Sequence, residues 1–215
     1  MKVYYLPLDS SPWSLADERL LSSVSGRRKE QIKKYAHDDG RRLSLYAALV
    51  TRMGISLQTG IPASGLAFQA DSGRKPVCLT VPGLDFSFSH TKNAVLCCIS
   101  GEGSVGADIE KQRPAPIRIA KRFFHEEEIK YVWNGSEEEQ SLRFFEIWTK
   151  KEAYSKQLGL GFGLSPQSYN TLSLELASRL HTWRQDGYLC SVCCEKPSPI
   201  EIIAVTEEDL QNFFR

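Results

Sequence analysis

The sequence lacks the features that define membrane, secreted and nucleic-acid-binding proteins. No apolar run approaches the ~20 residues that cross a bilayer. The N-terminal stretch MKVYYLPLDSSPW has no long apolar core, so we expect no signal peptide. A formal net charge of +1 excludes a generally basic nucleic-acid-binding protein. We therefore expect a cytoplasmic protein with no nucleic acid and no membrane among its partners.

The sequence also lacks a complete zinc-binding pattern of cysteines. Of the six cysteines, Cys190 and Cys193 form a CxxC motif, but there is no second CxxC and no nearby histidine to complete a four-ligand zinc site. The surrounding YLCSVCCE is typical of a buried strand in which cysteine acts as a small hydrophobic residue. We expect reduced thiols in a cytosolic core, with zinc or redox chemistry as the alternative.

What the sequence does contain is an alternation of helical and strand-like segments. Residues 25–55 predict two helices around the Asp-Asp-Gly breaker at 38–40, the second ending before Gly54. Residues 84–101 then alternate apolar and polar side chains on both sides of Thr-Lys-Asn at 91–93, which predicts a β-hairpin.

The same order of elements recurs later in the chain. Two more helical segments surround Asn-Gly at 134–135, and two strand-like runs follow around a Pro/Ser turn in 187–206. At 215 residues the chain is long enough for one large domain or two small ones. The repeated order predicts an α+β protein of two similar halves, 1–103 and 104–215, with a ligand cleft between them.

The junction of the two halves carries an acidic pair. In GSVGADIEK (103–111), strict alternation places Val105, Ala107 and Ile109 on one face of a strand and Asp108 and Glu110 on the other. Two such carboxylates suit Mg²⁺, which completes its octahedron with water and phosphate oxygens. The alternative is a surface strand whose polar face meets water.

Two further segments contain residues that suit phosphate binding. The strand DFSFSHT (85–91) ends near His90, which caps or packs in one interpretation and donates to a phosphate oxygen in the other. Arg74 and Lys75 lie in the Gly/Pro turn 71–76, where a lysine is ordinarily just solvated. Each signal is weak by itself.

The helix FFEIWTKKEAYSKQLGLG (144–161) mixes an apolar stripe with charge. Lys151 falls in the middle of the stripe, and Glu152 and Lys156 lie one turn apart along its edge. The structural explanation is a lysine that keeps its ammonium in water beside a surface ion pair of about 0.2–0.5 kcal/mol. The apolar members of the stripe are Phe144, Ile147, Trp148, Tyr154 and Leu158.

Together these motifs resemble the 4′-phosphopantetheinyl transferases of the pseudo-dimeric, Sfp type. The matching segments are GRKP (73–76), SHT (89–91), GADIE (106–110) and WTKKEAYSK (148–156). Two residues depart from the family pattern: Ala107 replaces a larger aliphatic side chain, and Ser87 replaces a frequent Asn. Neither departure removes a charged ligand.

The resemblance implies two α+β halves related by a pseudo-two-fold, with the active site in the cleft between them. It implies that Asp108, Glu110 and Glu152 hold Mg²⁺ against the pyrophosphate of coenzyme A, and that Glu152 also acts as the base for a carrier-protein serine. Lys156 would neutralise phosphate charge and His90 would donate to it. The catalytic residues would thus be Glu152, Lys156 and His90.

The resemblance also implies coenzyme A contacts by Ser89, Lys75, Arg42 and Lys151, besides His90 and Lys156. The partners would be coenzyme A and an apo acyl or peptidyl carrier protein, and the two-half build suggests a monomer. The alternative activity is a Mg²⁺-dependent phosphohydrolase acting on a nucleotide diphosphate, with water in place of the serine. A non-catalytic binding module is the third possibility.

Carrier proteins are generally acidic helical bundles, so the surface that docks one should be apolar with basic margins. The segment 118–133 fits this description, because Arg118, Lys121 and Arg122 precede Phe123 and Phe124. We expect Phe124 to contact the carrier, or else to pack in the core.

Overall fold

The computed structural model describes residues 1–70, 74–159 and 163–215. The strands are β1 (Lys2–Pro7), β2 (Phe68–Gln69), β3 (Val77–Cys78), β4 (Asp85–Thr91), β5 (Ala94–Ser100), β6 (Val105–Lys111), β7 (Leu180–Gln185), β8 (Tyr188–Cys194) and β9 (Glu201–Ala204). The helices are α1 (Leu15–Leu20), α2 (Gly26–Lys33), α3 (Asp38–Thr59), α4 (Ala120–Phe123), α5 (Glu126–Trp133), α6 (Glu137–Leu158), α7 (Leu174–Ala177) and α8 (Glu207–Phe213). The predicted α+β class is confirmed.

Two sheets form the centre of the molecule. The first has the strand order β4-β5-β1-β9, and the second has the order β6-β8-β7. All neighbours are antiparallel except β1 and β9, which run parallel. The last strand and α8 therefore return to the first sheet, and Arg42 of α3 pairs with Glu207 of α8 at 2.6 Å.

The strands alternate between two cores. One set of side chains in β1 and β5, including Tyr4, Leu6 and Cys97, packs beneath α3. The other set, including Tyr5 and Leu96, meets the second sheet in a shared apolar layer. Helix α6 covers the opposite face of the second sheet. The order of layers is thus α3, first sheet, second sheet, α6.

Capping residues and acidic side chains stabilise the starts of the two long helices, and the predicted breaker 38–40 forms the first turn of α3. Ser136 caps α6, with Glu139 completing a capping box, and Asp38 and Asp39 place negative charge in the first turn of α3. The predicted end of α3 before Gly54 is wrong. A Cβ at Gly54 would lie 2.6 Å from Ile99 Cδ1, so this glycine permits close helix–sheet packing while the helix continues.

The strands predicted in residues 84–111 and 187–206 are present in the structure. The hairpin is confirmed as β4 and β5, and the acidic strand as β6, with Ala107 and Ile109 in the shared core. The strand-like runs in 187–206 are β8 and β9, although β9 pairs with β1. The helix α6 ends at Leu158 with Gly159 in the left-handed conformation, as the sequence predicts. Residues 71–73 of the predicted turn and residues 160–161 of the helical stretch lie outside the described residues.

The cysteines lie in the core, as the sequence predicts. All six cysteines are buried and unbridged, as expected for core residues, and burial raises the pKa of Cys190 and of Cys193 to about 12. Across the residues that the structure describes, no helix is both long and apolar enough to cross a membrane.

Candidate active site

A cavity of about 840 Å³ opens between β4, β6 and α6. It contains residues from both sheets, so it lies between the edge strand β4 of the first sheet and the edge strand β6 of the second. Its polar lining includes most of the site residues predicted from the sequence: Lys75, Ser89, His90, Asp108, Glu110, Lys151, Glu152 and Lys156. Arg42 is absent from the lining among the described residues.

Asp108 is the most deeply buried carboxylate of the cavity, at 5% exposure. Its Oδ1 accepts hydrogen bonds from Ser89 Oγ and Lys156 Nζ, both at 2.7 Å. Its Oδ2 is buried and has no hydrogen-bond partner in the described part of the chain. A buried carboxylate oxygen without a donor is costly, so Asp108 retains capacity for one more ligand.

Alternate side chains of β4 attach this edge strand to β6. Asp85 accepts a hydrogen bond from the Val105 amide at 2.8 Å, and Ser87 Oγ accepts one from the Ala107 amide at 3.1 Å. Ser89 continues the series by donating to Asp108. Ser87, which replaces the frequent Asn of the family pattern, therefore still forms a hydrogen bond between β4 and β6.

The close approach of α6 to β6 brings Glu152 and Lys156 to the acidic strand. A Cβ at Gly106 would lie 1.9 Å from the Ala153 carbonyl oxygen, so a glycine is required where the helix backbone crosses the strand. Lys156 Nζ then reaches the Ala107 carbonyl at 3.1 Å and Ser89 Oγ at 2.9 Å.

Burial and mutual repulsion shift the titration of the acidic residues. Burial and the Asp108 charge raise the pKa of Glu152. Burial also raises the pKa of Glu110, against a hydrogen bond from Arg113 at 2.9 Å. Burial, followed by the charges of Lys156 and Arg28, lowers the pKa of His90, which therefore faces the cavity as a neutral imidazole at pH 7.

This donor set fits a hard divalent cation. Asp108, Glu110 and Glu152 all supply carboxylate oxygens, and Asp108 Oδ2 lacks a hydrogen-bond partner in the described part of the chain. Within the described ranges, no three acidic, histidine or cysteine side chains already form a metal cluster. Mg²⁺ is commonly held by one or two carboxylates together with substrate phosphates, so a ready-made protein cage is not required.

Two predicted coenzyme A contacts line the cavity with their ammonium groups already paired. Lys75 pairs with Asp85 and also donates to the Val105 carbonyl at 2.6 Å. Lys151 forms a 2.7 Å ion pair with Glu128, and burial lowers its pKa. The expectation that Lys151 directs its ammonium into the cleft is therefore wrong for this structure.

Arg42 lies in a separate buried network. It pairs with Asp9 and with Glu207, each at 2.6 Å, and its Nε is 3.7 Å from Asp17. These contacts join the segment after β1, α1 and α8 to α3. The structure thus does not bring Arg42 to the other predicted site residues.

Three residues near the site were not predicted from the sequence to contribute to it. Arg28 of α2 stacks 5.5 Å from the Phe88 ring and contributes to the field at His90. The cavity also has an apolar wall that includes Phe123 and Trp148. Phe124, by contrast, is buried in the core beneath α6, so the core interpretation of this residue is confirmed.

Comparison with known proteins gives a consistent result. A family model described as the 4′-phosphopantetheinyl transferase superfamily matches residues 104–203. The chain is 29% identical to the 4′-phosphopantetheinyl transferase Sfp of Bacillus subtilis (strain 168), over 98% of this chain and 100% of that protein. It is 28% identical to the 4′-phosphopantetheinyl transferase gsp of Aneurinibacillus migulanus, over 90% of this chain and 85% of that protein.

A third relative is the 4′-phosphopantetheinyl transferase HetI of Nostoc sp. (strain PCC 7120), 28% identical over 74% of this chain and 68% of that protein. The family model covers the segment with both carboxylate motifs, and the similarity to the Bacillus protein extends over both halves. Residues 104–203 therefore carry the 4′-phosphopantetheinyl transferase superfamily domain, and the chain is similar over nearly its whole length to enzymes of the Sfp type.

Proposed function

We propose that this enzyme transfers the 4′-phosphopantetheine group of coenzyme A to a serine of an apo acyl or peptidyl carrier protein, and that it depends on Mg²⁺. The observation that carries the proposal is Asp108 Oδ2, a buried carboxylate oxygen without a partner in the described residues. It lies in a cavity that also contains Glu152, Lys156 and His90.

Asp108, Glu110 and Glu152 would hold the metal. When bound, Mg²⁺ would neutralise charge on the diphosphate, as phosphoryl transfer requires. Lys156 is a fixed cation beside Asp108, and the neutral His90 donates a hydrogen bond to a phosphate oxygen. Ser89 orients Asp108 through its 2.7 Å hydrogen bond.

Glu152 takes the proton of the carrier serine. Its carboxylate lines the cavity, and burial and the Asp108 charge raise its pKa in the metal-free protein. The serine oxygen then attacks the β-phosphorus of coenzyme A, and the bond to adenosine 3′,5′-bisphosphate breaks. The nucleophile belongs to the partner, so the chain needs no nucleophile of its own.

We also propose that residues 1–103 supply nucleotide and phosphate contacts, and that residues 104–215 supply the metal-binding and catalytic motifs. His90 and Ser89 on β4 and the three acids on β6 and α6 support this division. The monomeric state, the cytoplasmic location and the absence of nucleic acid and membrane partners stay predictions from the sequence.

The test mixes the protein with Mg²⁺, coenzyme A and an apo carrier and follows the carrier by mass spectrometry. We expect the carrier to gain one phosphopantetheine group and to gain nothing when its acceptor serine is changed to alanine. Asp108→Asn and removal of Mg²⁺ with EDTA should each abolish most of the gain. Breakdown of coenzyme A without any carrier would instead favour the phosphohydrolase.

A further inference from the structure

A buried ion pair lies one residue away from Glu152. Lys151 is 4% exposed, and its ammonium contacts Glu128 Oε2 at 2.7 Å, the Pro166 carbonyl at 2.7 Å and the Tyr169 carbonyl at 3.0 Å. A lysine ammonium has three protons, so these acceptors use all of them. Lys151 therefore has no donor left for a phosphate.

The other member of the pair is equally well bound. Glu128 is 0% exposed, and its Oε1 accepts from both the amide and the hydroxyl of Thr171 at 2.7 Å. Its Oε2 also accepts from the His125 amide at 2.8 Å. The pair thus connects three parts of the chain: the start of α5, the catalytic helix α6 and the segment 164–171.

That segment forms one wall of the cavity. Leu164, Ser165, Pro166 and Tyr169 line it together with Asp108 and Glu152. The Tyr169 hydroxyl donates back to the Lys151 carbonyl at 3.3 Å, and the Tyr169 ring lies 4.2 Å from Lys151 Nζ. The wall is therefore fixed to α6 directly beside Glu152.

Stability alone does not explain such a pair. A buried ion pair contributes little net stability compared with well-packed apolar residues, because both charges must be desolvated. An apolar pair, however, would leave the carbonyls of Pro166 and Tyr169 without donors. The ammonium of Lys151 fixes the position of these two backbone carbonyls, which a hydrophobic side chain could not do.

We propose that Glu128 and Lys151 are positioning residues for the transfer step. They hold the wall 164–169 at a fixed distance from Glu152, so that the pantetheine arm and the incoming serine are aligned for attack. The inference rests on the proposed transferase function. It assigns Lys151 no contact with coenzyme A, whose phosphates meet His90 and Lys156.

The experiment uses Lys151→Met, which removes the charge and keeps most of the volume. The Glu128 charge then loses its partner, and we expect Tm to fall by about 10 °C. Activity is therefore measured well below Tm and expressed per folded molecule, using circular dichroism. Lys150→Met on the same helix is the matched control, because Lys150 forms a partly buried pair with Glu146 at 2.5 Å and is not among the described residues that line the cavity.

For Lys151→Met we expect a fall in kcat of about tenfold or more, with the Kd for coenzyme A unchanged within about twofold. Lys151→Arg keeps the charge and should recover part of the kcat. Thr171→Val, which removes one donor to Glu128, serves if Lys151→Met does not fold, and should lower kcat about threefold with the same Kd.

Two results would overturn the proposal. One is a wild-type kcat per folded Lys151→Met molecule, which would make the pair purely structural. The other is a tenfold weaker Kd for coenzyme A with kcat intact, which would make Lys151 a direct ligand. The wild-type enzyme, assayed in parallel, tests the transferase function separately, since its inactivity would contradict that function and not the positioning role.

Discussion

At Gly106, even an alanine side chain should disrupt the contact between α6 and β6 and so lower both stability and activity. In Gly106→Ala the new Cβ would lie 1.9 Å from the Ala153 carbonyl oxygen and 2.5 Å from the Gln157 amide nitrogen. Both are backbone atoms, so no rotamer change relieves the contact. The helix and the strand must separate by about 1.5 Å to restore ordinary van der Waals contact.

The expected cost has two parts. Overpacking of this kind lowers the free energy of unfolding by about 1–3 kcal/mol. For a chain of this length that is a fall in Tm of about 2–12 °C. Separation of α6 from β6 also moves Glu152 and Lys156 away from Asp108, and a misplacement of about 1 Å costs about 10²-fold in rate.

The assay is phosphopantetheine transfer at a temperature where circular dichroism shows the variant to be folded. Gly101→Ala is the control, because a Cβ at Gly101 meets no atom within 4 Å. We expect the control to behave as wild type in both Tm and kcat. A folded Gly106→Ala enzyme with kcat within about twofold of wild type would refute the idea that this contact sets the geometry of the site.

Three other predictions concern charge. His90→Gln should weaken coenzyme A binding by roughly 1–3 kcal/mol, measured by calorimetry. Bound phosphate should raise the lowered pKa of His90, so the affinity of the wild-type enzyme for coenzyme A should increase more than the affinity of the variant as pH falls from 7.5 to 6. Arg42→Met should cost about 3–5 kcal/mol of stability in a urea titration, and a weakened coenzyme A affinity would contradict its placement outside the cavity. The raised pKa of Glu152 means that the metal-free fold binds its proton more tightly than the unfolded chain. Stability in EDTA should therefore rise as pH falls through that raised pKa toward the ordinary glutamate value. Glu152→Gln should flatten this slope, and equal slopes for the two proteins would count against the acidic cluster.

The positions of the acidic residues in the cavity could be predicted because local periodicity decides which face of the strand or helix they occupy. Alternation along β6 fixes the face of Asp108 and Glu110, and the helical period fixes the face of Glu152 and Lys156. Both patterns depend on residues near in sequence. The family motifs then indicate that these two faces meet, which periodicity alone does not state.

The partners of the buried cations could not be predicted in this way. Helical periodicity places Lys151 in an apolar stripe, but its partner Glu128 lies 23 residues away on another helix. Arg42 likewise pairs with Asp9 and Glu207, at opposite ends of the chain. A pattern shows that a cation is buried, and the tertiary fold decides which carboxylate it meets.

The missed elements have a similar cause. Gly54 reads as a helix end because glycine ends many helices, whereas here the tight contact with Ile99 and Tyr4 overrides that tendency. β7 (LHTWRQ) is largely polar and has a weak apolar alternation, so its pairing with β8 was not evident. β9 was recognised as a strand, but not as a neighbour of β1.

The position of β9 has a consequence for how the protein is made on the ribosome. The first sheet gains its fourth strand from residues 201–204, and α8 packs Leu210 into the core between that sheet and α3. At about 5–20 residues per second, roughly 5–20 s separate the synthesis of β5 from that of β9. During that interval the outer edge of β1 carries unpaired backbone groups, the kind of edge at which chains associate wrongly. The nascent first half should therefore depend on chaperones until the end of translation, and shortening the chain before residue 201 should yield aggregate instead of a stable half-enzyme.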